Sequence, residues 1–157
     1  MSASVAVKNI VIGTGRPKIC IPLMDPDPAS LSQTVSQLGE LPFDLVEWRA
    51  DALKNPLSPD VRLEALTLLR RLLPRTPILF TLRTAAEGGL ANVNPEEYEE
   101  ILMDAIRSGL PDLVDIELSW GEERTKRLLY AVHERSMFAV GSRHNFKATP
   151  SKEEIVH

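Results

Sequence analysis

Short apolar runs rich in β-branched residues alternate along this chain with amphipathic stretches, most of which begin with a polar residue followed by proline. A polar cap before a proline is typical of a helix start, because proline fits the first helical position. A short apolar run between turn signals is typical of a buried strand. The alternation therefore predicts repeated β–α units with parallel strands and helices packed outside them.

The β–α unit occurs five times, and the sequence ends within the last helix. The predicted strands cover residues 18–24, 43–49, 77–83, 113–118 and 137–143. Helices are predicted over about residues 122–135 and after four polar-proline pairs: Asp27-Pro28, Ser58-Pro59, Asn94-Pro95 and Thr149-Pro150. Ahead of these units, residues 5–12 and the sequence Gly13-Thr14-Gly15 predict one extra strand and a turn.

Composition limits the domain count and the class of partner. A chain of 157 residues with 43% apolar content supports one core, so residues 1–157 are interpreted as a single domain. The net charge of −4, with both signs interspersed, predicts no nucleic-acid or membrane partner. Cys20 is the sole cysteine, and the N-terminal residues do not resemble a secretory signal, so a reduced, cytoplasmic protein is expected.

Polar side chains stand at the C-terminal ends of the second to fifth predicted strands. Reacting groups collect at this end of the strands in parallel α/β folds. Four strands that contribute to one mouth favour a TIM-type (β/α)8 barrel over an open, doubly wound sheet.

Three of these polar residues carry charges that fit an anionic or hydroxylated ligand. Period-two alternation places Glu47 and Arg49 on the same face as Phe43 and Leu45. Burial of two charges is costly unless they pair or meet a ligand, so an internal ion pair and a ligand contact are both open. Arg83 at the third strand end suits a carboxylate, and a surface arginine is the alternative.

The fourth and fifth strands add titratable groups. Asp115 and Glu117 alternate onto one face, where ordinary inward polar residues bonded to neighbours are the favoured interpretation. His144 is the one histidine at a strand end, and it can exchange a proton near neutral pH. Glu87 could fix its tautomer and raise its basicity. The sequence has no His, Cys or carboxylate spacing typical of a zinc site, so no metal is expected.

Five motifs, taken together in their order and spacing, resemble the class I 3-dehydroquinate dehydratases. They cover nearly the whole chain: Gly-x-Gly-x-Pro-Lys-Ile before the first strand, Glu47-Trp48-Arg49-x-Asp51, Phe80-Thr81-x-Arg83 with Glu87-Gly88-Gly89, Asp115-x-Glu117, and Ser142-x-His144-x-Phe146-x-x-Thr149-Pro150. The resemblance implies an aldolase-type (β/α)8 barrel, present here as an incomplete barrel of about five parallel strands plus an N-terminal strand or hairpin. It also implies the shikimate-pathway dehydration of 3-dehydroquinate to 3-dehydroshikimate, without a metal or organic cofactor.

The resemblance assigns roles to individual residues. A lysine of the family forms a Schiff base with the substrate ketone, which acidifies the neighbouring carbon. His144 matches the histidine that moves the protons, and Glu87 matches the carboxylate that orients it. Glu47 and Arg49 match residues that contact substrate hydroxyls, and Arg83 matches a second substrate-binding guanidinium.

The sequence also departs from the family pattern. Asn145 stands where the family usually has Asp, and Pro22 stands where some members have a substrate-contacting serine. The Schiff-base lysine of the family lies on the sixth strand, and this sequence ends at His157 before it. None of the six lysines takes its place: Lys8, Lys18, Lys54, Lys126, Lys147 and Lys152. The chain is therefore interpreted as the N-terminal portion of a longer enzyme, inactive alone, with open first and fifth strands that favour a homodimer or aggregation.

Two other functions remain open. A non-catalytic vestigial or regulatory module could keep Glu47, Arg49 and Arg83 and bind a hydroxylated carboxylic acid. A different Schiff-base or proton-transfer barrel enzyme could share the same strand-end chemistry.

Overall fold

Five parallel strands, hydrogen-bonded in the order in which they occur along the chain, form the centre of the fold. The computed structural model describes residues 4–39 and 41–156, so the predicted domain 1–157 includes residues 1–3, 40 and 157, which lie outside the described part. The strands are β1 (Val5–Val7), β2 (Ile10–Ile12), β3 (Cys20–Leu23), β4 (Leu45–Arg49), β5 (Ile78–Thr81), β6 (Leu113–Glu117) and β7 (Phe138–Ser142). The parallel sheet runs β3-β4-β5-β6-β7. Within the described residues, β3 and β7 are its two edges.

The helices begin where the sequence predicts, with one exception. They are α1 (Pro28–Leu38), α2 (Pro59–Leu72), α3 (Pro95–Ser108), α4 (Glu122–Glu134) and α5 (Lys152–Val156). Asn94 and Glu97 form a reciprocal capping box at the start of α3. α5 starts later than Thr149-Pro150 predicts, because the Asn145 side chain accepts the N–H groups of the two residues before Thr149 and holds that segment in a turn. None of the helices in the described part is long and apolar enough to span a bilayer.

The N-terminal segment is a hairpin, one of the two forms that the resemblance implies, whereas the single strand that the residue pattern predicts over residues 5–12 is wrong. β1 and β2 pair antiparallel, with Val7 opposite Ile10. Lys8 between them has a φ of 50°, in the left-handed region typical of a tight turn. The two polar residues Lys8 and Asn9 interrupt the apolar run and reverse the chain.

Alternate residues of the parallel strands face two different cores. Val46 and Trp48 of β4 point outward and are buried against the helices. Leu45 points inward and packs with Leu113 and the hairpin, which covers the N-terminal end of the strands. Phe43 precedes β4 and packs against the helical core, so the expectation that it shares a face with Leu45 is wrong. The inward positions closer to the C-terminal ends carry polar side chains.

Candidate active site

Arg83, immediately beyond β5, is the centre of a buried charge cluster. Its guanidinium lies 3.0 Å from Asp115 Oδ2, 3.5 Å from Glu117 Oε1 and 3.8 Å from Glu87 Oε2. It also donates to Ser142 Oγ at 3.0 Å. The Arg83 side chain is 9% exposed, and the three carboxylates are still more buried. One cation therefore faces three buried anions.

Glu87 and His144 form a hydrogen-bonded pair beside this cluster. Glu87 Oε2 accepts the His144 backbone N–H at 2.9 Å and lies 2.9 Å from its Nδ1. Glu87 Oε1 accepts the hydroxyl of Ser119 at 2.6 Å. Burial raises the pKa of Glu87, but the hydrogen bonds from Ser119 and His144 outweigh burial and lower that pKa below its ordinary value. Glu87 is therefore an ionised acceptor at neutral pH.

The His144 ring has two competing neighbours at one nitrogen. Arg83 Nη1 lies 2.6 Å from Nδ1, the same nitrogen that faces Glu87. A guanidinium can only donate, so Nδ1 cannot accept from Arg83 and donate to Glu87 in the same tautomer. Nε2 of His144 has no hydrogen-bond partner among the described residues, and the side chain is 35% exposed. One ring nitrogen is held by the protein and the other is open.

Arg49 is fixed by Asp51, a residue to which the sequence analysis gave no role. Two parallel hydrogen bonds of 2.8 Å join the guanidinium of Arg49 to the Asp51 carboxylate. Asp51 is 2% exposed and also accepts the backbone N–H groups of Arg83 and Leu90. Asp51 thus connects Arg49 to the loop that carries Arg83 and Glu87. The sequence signal for this ion pair was the position of Asp51 two residues after Arg49.

Glu47 points inward from β4 and is half-buried, without direct contact with His144 or Glu87 among the described hydrogen bonds and ion pairs. Its charge acts on Asp115 instead. Burial raises the pKa of Asp115 to about 6, Arg83 opposes this, and the charges of Glu47 and Glu117 add to it. The structure therefore brings Arg83, Glu87 and His144 into direct contact, and it links Arg49 and Glu47 to them indirectly.

Asp115 and Glu117 are bonded to neighbours, as the favoured interpretation of β6 expects. Asp115 accepts the hydroxyl of Ser142 at 3.0 Å in addition to its ion pair with Arg83. Glu117 accepts both the backbone N–H and the hydroxyl of Thr84. These bonds satisfy the two carboxylates and fix the ends of adjacent strands.

Besides Asp51, three hydroxyl-bearing residues lie in the site without a role predicted from the sequence. Ser119 and Ser142 each donate to a site carboxylate. Thr81 occupies an inward position of β5, is fully buried, and its Oγ1 has no hydrogen-bond partner among the described residues. Alternation from Leu79 places Thr81 on the inner face, and its position in the motif Phe80-Thr81-x-Arg83 was a second sequence signal.

The described residues contain no group of three His, Cys, Asp or Glu side chains arranged to hold a metal ion. The expectation that the protein uses no metal or organic cofactor stays a prediction.

Comparison with known proteins connects this geometry to a family. The family model described as type I 3-dehydroquinase matches residues 19–157. The chain belongs to the type I 3-dehydroquinase family. Its 3-dehydroquinate dehydratase relative from Neisseria gonorrhoeae is 43% identical over 156 residues, which cover 99% of this chain and 61% of the relative. The relative from Listeria monocytogenes is 41% identical over 152 residues, which cover 97% of this chain and 60% of the relative.

A solved type I 3-dehydroquinase structure has the same fold. The type I 3-dehydroquinate dehydratase from Clostridium difficile, solved with covalently modified comenic acid, superposes with a TM-score of 0.94 at 35% identity. The match covers 99% of this chain and 61% of that protein. The chain thus spans about three fifths of the length of its relatives. The predicted fold class, an incomplete α/β barrel, and the predicted family are confirmed.

Proposed function

We propose that this chain supplies the substrate-binding and proton-transfer residues for the dehydration of 3-dehydroquinate to 3-dehydroshikimate. The observation that carries the proposal is the contact of Glu87 and Arg83 with the same His144 ring, at the C-terminal ends of strands in a member of the type I 3-dehydroquinase family. An imidazole whose Nδ1 is held by a buried carboxylate and whose Nε2 is open is suited to take up a proton.

The proposed chemistry is a balanced loss of water. His144 Nε2 takes the proton from the carbon next to the substrate carbonyl, and Glu87 stabilises the resulting imidazolium through Nδ1. The electron pair left on carbon forms the new double bond as the hydroxyl departs, and His144 returns the proton to that hydroxyl. Glu47 and Arg49 contact the substrate hydroxyls, and Arg83 supplies a second guanidinium that binds the substrate.

The family resemblance assigns the carbonyl-activating step to a lysine, and the lysines of this chain lie elsewhere. Lys8 and Lys18 bond to backbone carbonyls near the N-terminal end of the sheet. Lys54 and Lys126 pair with surface carboxylates. Lys147 and Lys152 are exposed beyond β7. These positions support the proposal that the 157-residue chain does not complete the reaction by itself.

The 157-residue chain is expected to bind 3-dehydroquinate without converting it. Calorimetry measures binding, and the ultraviolet absorbance of the conjugated product measures turnover. The Arg49→Met substitution should weaken binding by about tenfold or more, because a charged hydrogen bond to a ligand is worth roughly 1.5–3 kcal/mol. Arg127→Met, on the exposed face of α4, is the matched control and should bind like the parent.

Two outcomes would contradict this proposal. Binding that is absent, or equal in the Arg49→Met variant and the parent, would argue against the substrate-binding role. Product formation, or a borohydride-trapped adduct on any of the six lysines, would argue against the expected inactivity.

The positions of the lysines also favour a second candidate, a non-catalytic module that binds a hydroxylated carboxylic acid. Such a module should bind several acids of this class with similar affinity, whereas dehydratase residues should prefer 3-dehydroquinate. Competition calorimetry with a panel of hydroxylated acids separates the two functions.

We also propose that the isolated chain forms a homodimer. Within the described residues β3 and β7 present unpaired edges, and such edges favour pairing with another chain. Sedimentation velocity should show a dimer fraction that rises with concentration, and a monomer at every concentration would contradict the proposal. A cytoplasmic location, testable by cell fractionation, is a further proposal in keeping with the single cysteine, Cys20. The absence of nucleic-acid or membrane partners is another, in keeping with the net charge of −4.

A further inference from the structure

The two oxygens of the Glu87 carboxylate have different partners. Oε2 faces His144, at 2.9 Å from both the backbone nitrogen and Nδ1. Oε1 accepts the Ser119 hydroxyl at 2.6 Å, and among the described residues Ser119 is the only hydrogen-bond donor to that oxygen. The Glu87 side chain is 4% exposed, so little solvent reaches it to replace a lost donor.

These bonds fix how the carboxylate is turned. A carboxylate held at one oxygen can rotate about its last carbon–carbon bond, whereas bonds to both oxygens define its plane. Ser119 comes from the short turn Leu118–Trp120 after β6, and His144 follows β7. Glu87, in the turn after β5, is therefore held between residues from two neighbouring strand ends.

The orientation of Glu87 matters because Arg83 competes for His144 Nδ1. Arg83 Nη1 lies 2.6 Å from Nδ1 and can only donate to it, which would leave the proton of the neutral ring on Nε2. Glu87 Oε2 can only accept from Nδ1, which would leave Nε2 unprotonated. Only the second tautomer has a basic nitrogen on the open side of the ring.

We propose that Ser119 is a positioning residue that turns Glu87 so that its Oε2 receives the Nδ1 proton of His144 and leaves Nε2 as the base. The catalytic use of this tautomer depends on the proposed dehydratase function. The contact itself, and its effect on the ring, do not depend on that function.

The charges around Glu87 agree with this role. Burial raises the pKa of Glu87, and the Ser119 hydrogen bond is the strongest of the contacts that lower it. The other charged groups that face Glu87 are Arg83 and His144, with Asp115 and Glu117 on Arg83. Loss of the Ser119 hydroxyl should therefore shift protonation of Glu87 to higher pH.

Two substitutions of nearly equal shape isolate the hydroxyl. Ser119→Thr keeps it and Ser119→Val removes it, and Ser119 is exposed enough to accept either side chain. The ¹³C signal of the Glu87 carboxyl, assigned with Glu87→Gln, reports its titration in the 157-residue chain. The ring ¹⁵N signals of His144 report its tautomer, and His133 on α4 serves as an internal control.

Ser119→Thr is expected to keep the parent titration of Glu87 and the Nδ1–H tautomer of His144. Ser119→Val should move the Glu87 midpoint to higher pH and transfer part of the His144 population to the Nε2–H tautomer, with His133 unchanged. Ser119→Ala also removes the hydroxyl and should change both signals in the same direction as Ser119→Val.

The proposal is overturned if the hydroxyl-free variants keep the parent titration and tautomer, or if Ser119→Thr changes them as much as Ser119→Val. Because no substrate is present, these spectra test the Ser119 contact independently of dehydration. Failure of the chain to bind 3-dehydroquinate would leave their interpretation unchanged.

Discussion

Arg83→Met should destabilise the folded chain by about 3–5 kcal/mol at neutral pH, because removal of one partner from a buried ion pair leaves uncompensated charge. Arg83 is the only guanidinium within 4 Å of the three carboxylates of Asp115, Glu117 and Glu87 among the described ion pairs. Methionine is similar in length and fills the space, so the loss reports charge rather than a cavity. Urea denaturation followed by circular dichroism measures the free energy of unfolding.

The Arg83→Met deficit should become smaller as the pH falls. The pKa of Asp115 is already raised by burial from 3.8 to about 6, although Arg83 lowers it, so loss of Arg83 should raise it further. A carboxyl whose pKa is raised in the folded state stabilises the fold as the pH falls through that pKa towards the unfolded value. Both chains gain in this way, but the variant, with the higher Asp115 pKa, begins to gain at a higher pH, so its deficit shrinks as the pH falls to about 6. A deficit that is equal at pH values above and below about 6 would contradict the charge explanation.

Two control variants test the same point at neutral pH. Arg127 lies half-exposed on α4 and pairs with Glu99, so Arg127→Met should have little effect on the free energy of unfolding. Adding Asp115→Asn to Arg83→Met should restore part of the lost stability, because one of the stranded charges is removed. A double variant no more stable than Arg83→Met alone would be inconsistent with this mechanism.

Gly89→Ala should destabilise the chain by about 3 kcal/mol or more, a loss at the upper end of the range for overpacked sites. A Cβ at Gly89 would overlap the backbone carbonyl oxygen of Arg83. The obstacle is backbone, and the Gly89 N–H is also bonded to the Thr84 carbonyl at 2.8 Å, so neither group can move without opening the loop. Glycine is required at position 89 because the Arg83 backbone lies too close for a Cβ. At the neighbouring Gly88 the reason is different, because its φ of 81° lies in the left-handed region that favours glycine.

Gly141→Ala in β7 is the matched control for Gly89→Ala. A Cβ at Gly141 would lie 3.4 Å from Leu118 Cδ2, an ordinary contact with a flexible side chain. Alanine is also favoured over glycine within a strand by about 0.5–1 kcal/mol, so this variant should be as stable as the parent or slightly more stable. Thermal unfolding measures both variants, and equal losses in the two would show that the Arg83 contact is not the cause.

Local rules predicted most of the elements. The Asn94 cap and its proline fix the start of α3, and strict alternation places Asp115 and Glu117 on the inner face of β6, because these signals depend on residues a few positions apart. The residue pattern predicted a single strand and not the hairpin that the resemblance allowed, since the turn depends on the left-handed conformation of Lys8 and not on a glycine signal. Phe43 was assigned to the wrong core, because the alternation of β4 does not extend beyond its first residue.

The sequence predicted the location of the site better than it predicted the contacts within the site. Parallel strands bring their C-terminal ends together, so Arg83 and His144 were expected to be close. Their direct contact at Nδ1 joins residues 61 positions apart, and Ser119 reaches Glu87 from 32 positions away. Neither distance nor partner follows from periodicity, because each hydroxyl or guanidinium has several acceptors in the same space.

The order of the strands has a consequence for how the protein is made. Each of β4, β5, β6 and β7 pairs with the parallel strand synthesised just before it, at intervals of one β–α unit of roughly 30 residues. Each of these strands therefore leaves the ribosome after the strand with which it pairs. The entropy lost on closing each connection is small, because the connections are short. Asp115 and Glu117, which pair with Arg83, lie on β6, whereas His144 follows β7. The two β6 carboxylates therefore leave the exit tunnel before His144 does.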